Sequence, residues 1–342
     1  MILNSPERDT NGGPMANLKT TYMGIGLNSP IVVAASSISS FIDQIKLAEQ
    51  AGAGLLVIRS LFEEQILMDA LRLEEELSVG AENFPEALSY FPEIEHGMAD
   101  EHLMWIEETR KEVKLPLIAS LNAVSSGGWV KYAKQLEATG VDGLELNVYA
   151  IAADPKVNGA VLEAQLYEIV EAVISEVDIP VAVKLSPFYT SIANVVSEVD
   201  ERGAKAVVLF NRFLQPDIDP KTETLVSEMV YSSPEEMKLP LRWVALLYGR
   251  VKTELALTTG VHSGLDAAKA FLAGAQIVQT ASALHKQGIP YISTMIRELE
   301  GWMDEHDYQN LGDFRGKMSQ RDTDDPFAFE RAQYVKLLLG QQ

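Results

Sequence analysis

The 342 residues include no cysteine, which excludes disulfides, thiolate nucleophiles and cysteine-ligated zinc or iron–sulfur centres. Histidine is scarce. His96, His102, His262, His285 and His306 show no HxH or HExxH spacing, so no metal site is expected. Cations are outnumbered, with 28 Lys and Arg against 49 Asp and Glu and a formal net charge of −21. Nucleic acid and anionic membrane surfaces both need clustered basic groups, so neither is an expected partner. No apolar run reaches the ~18 residues of a membrane span. The N-terminus lacks the basic region and apolar core of a signal peptide, and the cytoplasm is the expected location. Met1–Pro14 is polar and rich in Gly, Asn and Pro. It reads as a disordered leader or a cloning scar, with residues 15–342 as a single domain whose core spans about residues 23–302.

Apolar residues make up 47% of the chain, enough to bury a large core. Short β-rich runs recur at Ile31–Ala35, Gly54–Ile58, Leu117–Leu121, Gly143–Asn147, Val181–Leu185, Ala206–Phe210, Leu255–Thr259 and Ala275–Thr280. Near-continuous apolar runs suit parallel strands covered on both faces. Helical periodicity fills most intervals, most clearly at Leu162, Leu166, Ile169, Val170, Val173, Ile174 and Val177, before Pro180 stops the helix. Gly52, Gly140 and Gly203 each stand between a helical segment and a strand, where a left-handed residue ends a helix. Strict β–α alternation with eight strands predicts a (β/α)8 TIM barrel. Two intervals are too long for simple loops. Arg59–Pro116 holds an acidic helix and the aromatic segment Phe84–Pro92, and Asn211–Glu254 holds the Pro- and Asp-rich segment Gln215–Pro220. Both are expected as loops inserted at the C-terminal face, forming lids or substrate walls. The polar tail beyond Trp302 is expected to pack across the barrel only in part.

The most informative stretch is Leu255–Leu284. Two strands there each run into a turn of Gly, Ser, Thr or Ala, and a helix follows each turn. Small side chains let backbone N–H groups approach an anion closely, and a helix N-terminus adds positive potential. Gly260–Gly264 with Ala281–Ser282 therefore reads as a phosphate site, against the plainer alternative of ordinary barrel turns. No GxGxxG fingerprint opens the chain for a dinucleotide.

Side chains alternate along a strand, so residues two apart share a face. Ala182, Lys184 and Ser186 share one face, as do Gly143, Glu145 and Asn147, and Ile118, Ser120 and Asn122. Val207, Leu209 and Asn211 form a fourth set. Asn122, Asn147, Lys184 and Asn211 thus stand at C-terminal strand ends, each able to face inward. Three amides and one ammonium around one mouth suit a planar, hydrogen-bonding, partly anionic group. Taken singly, a strand-end Asn often caps a turn and a Lys snorkels to solvent.

The segments MGIGLNSPIVVAASS (Met23–Ser37), VDGLELN (Val141–Asn147), PVAVKLSP (Pro180–Pro187) and TTGVHSGLDAAKAFLAGAQIVQTASALHKQG (Thr258–Gly288) resemble the dihydroorotate dehydrogenases of the soluble branch. The resemblance implies an FMN-binding barrel that oxidises dihydroorotate to orotate in pyrimidine biosynthesis, and a homodimer. It matches Ala35, Ser36, Arg59 and Ser60 to positions beside the flavin. It matches Asn122, Asn147 and Lys184 to the flavin ring, with Lys184 steadying negative charge on the reduced ring. Gly260, Gly264, Ala281 and Ser282 fall in the turns that would grip the phosphate. Ser89, Asn147 and Asn211 match substrate contacts.

One loop departs from this pattern. The family continues the strand that ends at the equivalent of Asn147 with roughly N-x-S-[CS]-P-N, where the Cys or Ser is the base and the last Asn holds the ring. Here the loop reads Asn147, Val148, Tyr149, Ala150, Ile151, Ala152. Ala150 stands at the base position and Ala152 at the ring-binding Asn. Tyr149 is then the nearest substitute base, ahead of Ser125, Ser126 and Tyr189, although its reference pKa near ~10 suits an aromatic wall better. Four readings stay open. The first is a dihydroorotate dehydrogenase and the second an FMN-dependent reductase of another planar cyclic substrate. The third is a flavin-binding barrel without turnover. The fourth is an aldolase-type barrel with Lys184 as a Schiff-base lysine.

Overall fold

The computed structural model describes residues 16–64, 97–123, 126–148, 150–213, 215–226 and 228–340. The expected leader, the Phe84–Pro92 segment, Ser89, Ser125 and Tyr149 lie outside them, and so does the side chain of Ser126.

Eight parallel strands close into a barrel: β1 (Ile31–Val33), β2 (Leu55–Phe62), β3 (Leu117–Asn122), β4 (Gly143–Asn147), β5 (Val181–Leu185), β6 (Ala206–Leu209), β7 (Glu254–Thr258) and β8 (Ile277–Thr280). Each pairs with its sequence neighbour, and β8 returns to β1. Helices α1 (Ile42–Gln50), α2 (Gly97–Glu112), α3 (Ser126–Ala138), α4 (Gly159–Ile174), α5 (Ile192–Glu201), α6 (Lys238–Leu247), α7 (Gly264–Ala273), α8 (Ser282–Gln287) and α9 (Tyr291–Glu305) follow the strands. Local sequence sets their limits. The Asn158 side chain caps α4 by accepting from Val161 N–H at 3.1 Å, and Leu166, Val170 and Val173 make its buried face. Full burial of such side chains contributes roughly 1.5–3 kcal/mol each. Gly52, Gly140 and Gly203 take φ values of +90°, +81° and +95° at the α-to-β turns, as their positions predicted.

Alternation divides the apolar residues into two cores. Val33, Leu56, Leu144, Val183 and Val207 point out to the helices. Val32, Val57, Ile118, Ala182, Val208 and Ala256 fill the interior. A hairpin of Thr20–Tyr22 and Ile25–Leu27, turning at Met23 and Gly24 with φ of +54° and +82°, inserts Tyr22, Met23 and Leu27 into the interior cluster. Glu254, at the first position of β7, accepts the Met23 N–H at 2.5 Å and anchors this plug at the N-terminal end.

Two elements differ from the sequence expectation. Strand β2 runs four residues beyond Ile58, and its register against β3 shifts between Ile58 and Leu61. This irregularity carries Arg59 and Ser60. The Gln215–Pro220 segment is part of a hairpin, Asp217–Asp219 with Thr224–Val226, which its composition did not specify. The tail packs further than its polarity suggests. Gly316 and Met318 donate to Phe271 and Leu272 carbonyls on α7, and Gln320 donates to Ala245 on α6. The helix α10 (Ala332–Leu339) leaves Tyr334, Leu338 and Leu339 exposed.

On α2, His102 is buried beside Trp105 and its Nε2 has no hydrogen-bond partner among the described residues. Burial, with Arg59 second, lowers its pKa from 6.5 to about 4. An unfolded chain binds this proton below pH 6.5 while the folded one does not. Its contribution is therefore complete above pH 6.5 and is lost as pH falls towards 4. Urea unfolding of the wild type against His102→Leu across that window should give an excess acid loss in the wild type, up to about 3 kcal/mol. Parallel pH profiles would show that His102 does not titrate this way.

Candidate active site

The inward faces of β3, β4 and β5 end at Asn122, Asn147 and Lys184, all buried, and Asn147 pairs with Lys184 in register. One step deeper lies Glu145, 1% exposed, between Ser120 on β3 and Ala182 on β5. Its Oε1 is 3.5 Å from Lys184 Nζ, and its Oε2 accepts from Gln279 Nε2 at 2.7 Å. The carboxylate thus faces an ammonium on one side and an amide on the other. Removing such a charge from water costs several kcal/mol unless it is paired and hydrogen-bonded. Below it, burial pushes the Tyr22 phenol well above its usual range, with Glu145 and Glu254 adding to the effect. Tyr22 remains protonated.

A cavity of about 170 Å³ connects Lys184 to Gly260, Ala281 and Ser282, with Ala35 and Asn211 also in its wall. After β7 the backbone turns through two consecutive positive φ values, 75° at Thr259 and 78° at Gly260. A Cβ on Gly260 would come within 2.4 Å of the Met237 nitrogen, so close packing and conformation both demand glycine there. Ser232 closes the rim. Its N–H donates to Ser282 Oγ at 3.0 Å, Lys286 Nζ donates to its carbonyl at 2.8 Å, and its hydroxyl lies 3.2 Å from His262 Nε2. Burial, followed by Lys286, lowers the His262 pKa.

Of the remaining residues singled out in the sequence, Ser36 is half-buried, and its Oγ has no partner among the described residues. Ser60 Oγ pairs with Ser120 Oγ at 2.7 Å, and Arg59 N–H donates to Ser39 Oγ at 2.7 Å. Asn211 reaches the cavity by another route than alternation. Val207 and Leu209, on its expected face, pack outward against the helices. Strand β6 ends at Leu209, and the following chain swings Asn211 into the wall while its N–H donates to the Leu185 carbonyl at 2.8 Å. Gly264 has a packing role in addition to the one expected of it. Its N–H donates to Glu298 Oε2 at 2.7 Å, and a Cβ there would lie 2.2 Å from the Met295 carbonyl. Its small size serves the packing of α7 on α9.

Glu145, Gln279 and Ser232 went unassigned in the sequence. Alternation placed Glu145 inward, but nothing local announced Gln279 as its partner, 134 positions away. For Ser232 the available signal was the capping box that follows, with Ser233 and Glu236 starting the helical turn Pro234–Met237.

A second cavity, of about 600 Å³, flanks the mouth between the β4–α4 loop, α4 and the β5–α5 loop. Ala150 and Ala152 lie in its wall with Trp129, Leu166 and Phe188.

The family model described as dihydroorotate dehydrogenase matches residues 95–303. Among relatives, the chain is 27% identical over 329 residues to the dihydroorotate dehydrogenase B (NAD(+)), catalytic subunit, of Thermoplasma volcanium, covering 90% of this chain and 100% of the relative. It is 25% identical over 324 residues to dihydroorotate dehydrogenase A (fumarate) of Lactococcus lactis, covering 88% and 99%.

The buried pair makes a direct prediction. Glu145→Leu leaves Lys184 as an unpaired buried cation and should cost ~3–5 kcal/mol in urea unfolding, whereas Lys184→Met in the same chain should recover much of that loss. Additive single and double variants would mean that the two groups do not interact.

Proposed function

Because the chain belongs to the dihydroorotate dehydrogenase family, we propose that it is an FMN-dependent oxidoreductase acting on a carbon–carbon single bond of a cyclic substrate. The observation that carries this reading is the continuous cavity with Lys184 at one end and the small-residue turns at the other. When bound, FMN supplies the hydride acceptor.

The residues fit that group. Backbone N–H groups around Gly260 and Ala281–Ser282 would hold its phosphate, with Lys286 nearby as a cation. Among the described residues the buried oxygens Asn147 Oδ1 and Gln279 Oε1 have no donor, and an N–H-bearing ring satisfies such acceptors. Lys184 presents a fixed positive charge to the same space and stabilises negative charge developing there. Glu145 and Gln279 keep that ammonium from swinging away. A homodimer belongs to the same proposal. Among the described residues no helix is long and apolar enough to cross a membrane.

Dihydroorotate is the leading substrate on family grounds, and one observation favours another planar ring. Ala150 and Ala152 put methyl groups in the wall where the resemblance expects a base and an amide. A methyl group accepts no proton, and loss of a positioned base typically costs ~10²–10⁴ in rate.

Two measurements test these points. Chromatography of the cofactor released from purified protein should yield FMN, and an adenine-containing species would refute the assignment. In anaerobic stopped flow, dihydroorotate should bleach the wild-type flavin slowly or not at all. Ala150→Ser with Ala152→Asn should gain more than the two single changes together, since base and ring-holder act as a unit. Wild-type reduction matching a dihydroorotate dehydrogenase that retains the loop Cys or Ser would show that another group has taken the proton.

A further inference from the structure

Resting on that reading of the mouth, we propose that the cavity beside Ala150 binds an uncharged, largely apolar cyclic carbonyl compound in place of a carboxylated ring. Its volume of about 600 Å³ lies within the ~300–1,000 Å³ usual for small-molecule sites. The same strand ends carry both cavities: Ala123 directly follows Asn122, Val148 directly follows Asn147, and Ser186 lies two positions beyond Lys184.

The charge of the wall decides the class. Among the described residues no Lys or Arg lines this cavity, while Glu163 does. Lys184 faces the other cavity and already has Glu145 as its partner. A carboxylate brought here would lose water, gain no cation and meet the field of Glu163 in a chain of net charge −21. An apolar ring meets Trp129, Leu162, Leu166 and Ile169 on one side, and Phe188 and Phe213, with ring centroids 5.4 Å apart, at the rim.

The polar groups present are suited to a neutral acceptor. Ser186 Oγ accepts the Phe188 N–H at 3.1 Å, which leaves its own proton to donate. Tyr189 lines the same cavity, and burial pushes its pKa up to about 12, with Tyr167 and Glu163 adding to the rise. Both hydroxyls therefore stay neutral donors at physiological pH. A carbonyl oxygen accepts from them without bringing a charge, and an apolar ring beyond it covers the aliphatic wall.

Calorimetry on the protein as purified tests this with two probes of equal heavy-atom count, the enone carvone and the anion orotate. Carvone should bind at least about tenfold more tightly, with the negative heat-capacity change that accompanies apolar burial. Leu162→Arg, which adds a cation to the wall, should reverse the preference. Tyr189→Phe should weaken carvone severalfold and leave orotate unchanged. Tighter binding of orotate to the wild type would overturn the proposal, as would carvone binding that ignores both substitutions. Flavin content measured on the same sample reports separately on the cofactor: its absence would refute the FMN reading without changing the affinity ratio.

Discussion

An ammonium and a carboxylate inside a barrel are tolerable only together, and the site depends on that constraint. Lys184 and Glu145 stand on adjacent strands, with their charged atoms 3.5 Å apart, and Gln279 closes the remaining side of the carboxylate. Three strands far apart in sequence must therefore be in register before either charge is satisfied. Misplacing any of them by one residue would turn its inward group towards the helices. The pair adds little net stability against an apolar filling, but it penalises every wrong arrangement.

The pair also separates two kinds of chemistry. On its β7–β8 side the walls are small and turn tightly, and polar groups tie Ser232 across the opening. On its β3–β5 side the walls are methyl, aliphatic and aromatic, with hydroxyls and one carboxylate but no described cation. The first side suits a phosphate-bearing cofactor, and the second suits a neutral substrate. Both are built on strand ends whose interior residues, Val32, Val57, Ala182 and Ala256, form a packed apolar floor.

Much of this was legible in the sequence because parallel strands and their alternation obey local rules. All eight strands lie at the runs marked by apolar composition, and Asn122, Asn147 and Lys184 converge as the two-residue period required. What the local rules left unspecified has a common physical cause. Asn211 lies beyond the end of β6, where alternation stops applying. Gly264 is small for the sake of Met295 on another helix, a contact that no window around residue 264 contains. The plugging hairpin is only three residues per strand, too short for periodicity to show, although Met23–Gly24 supplies its turn. The Glu145–Gln279 bond joins groups that only barrel closure brings together.

Tyr22 and Met23 fill the N-terminal end of the interior, and Glu254 holds their backbone in place. Among the described residues the N-terminal end of the barrel is therefore closed, and the cavity at Lys184 lies on the C-terminal side of that plug. The same packing fixes the depth of the site: a ligand cannot sink past the layer of Glu145 and Lys184 without displacing close-packed side chains.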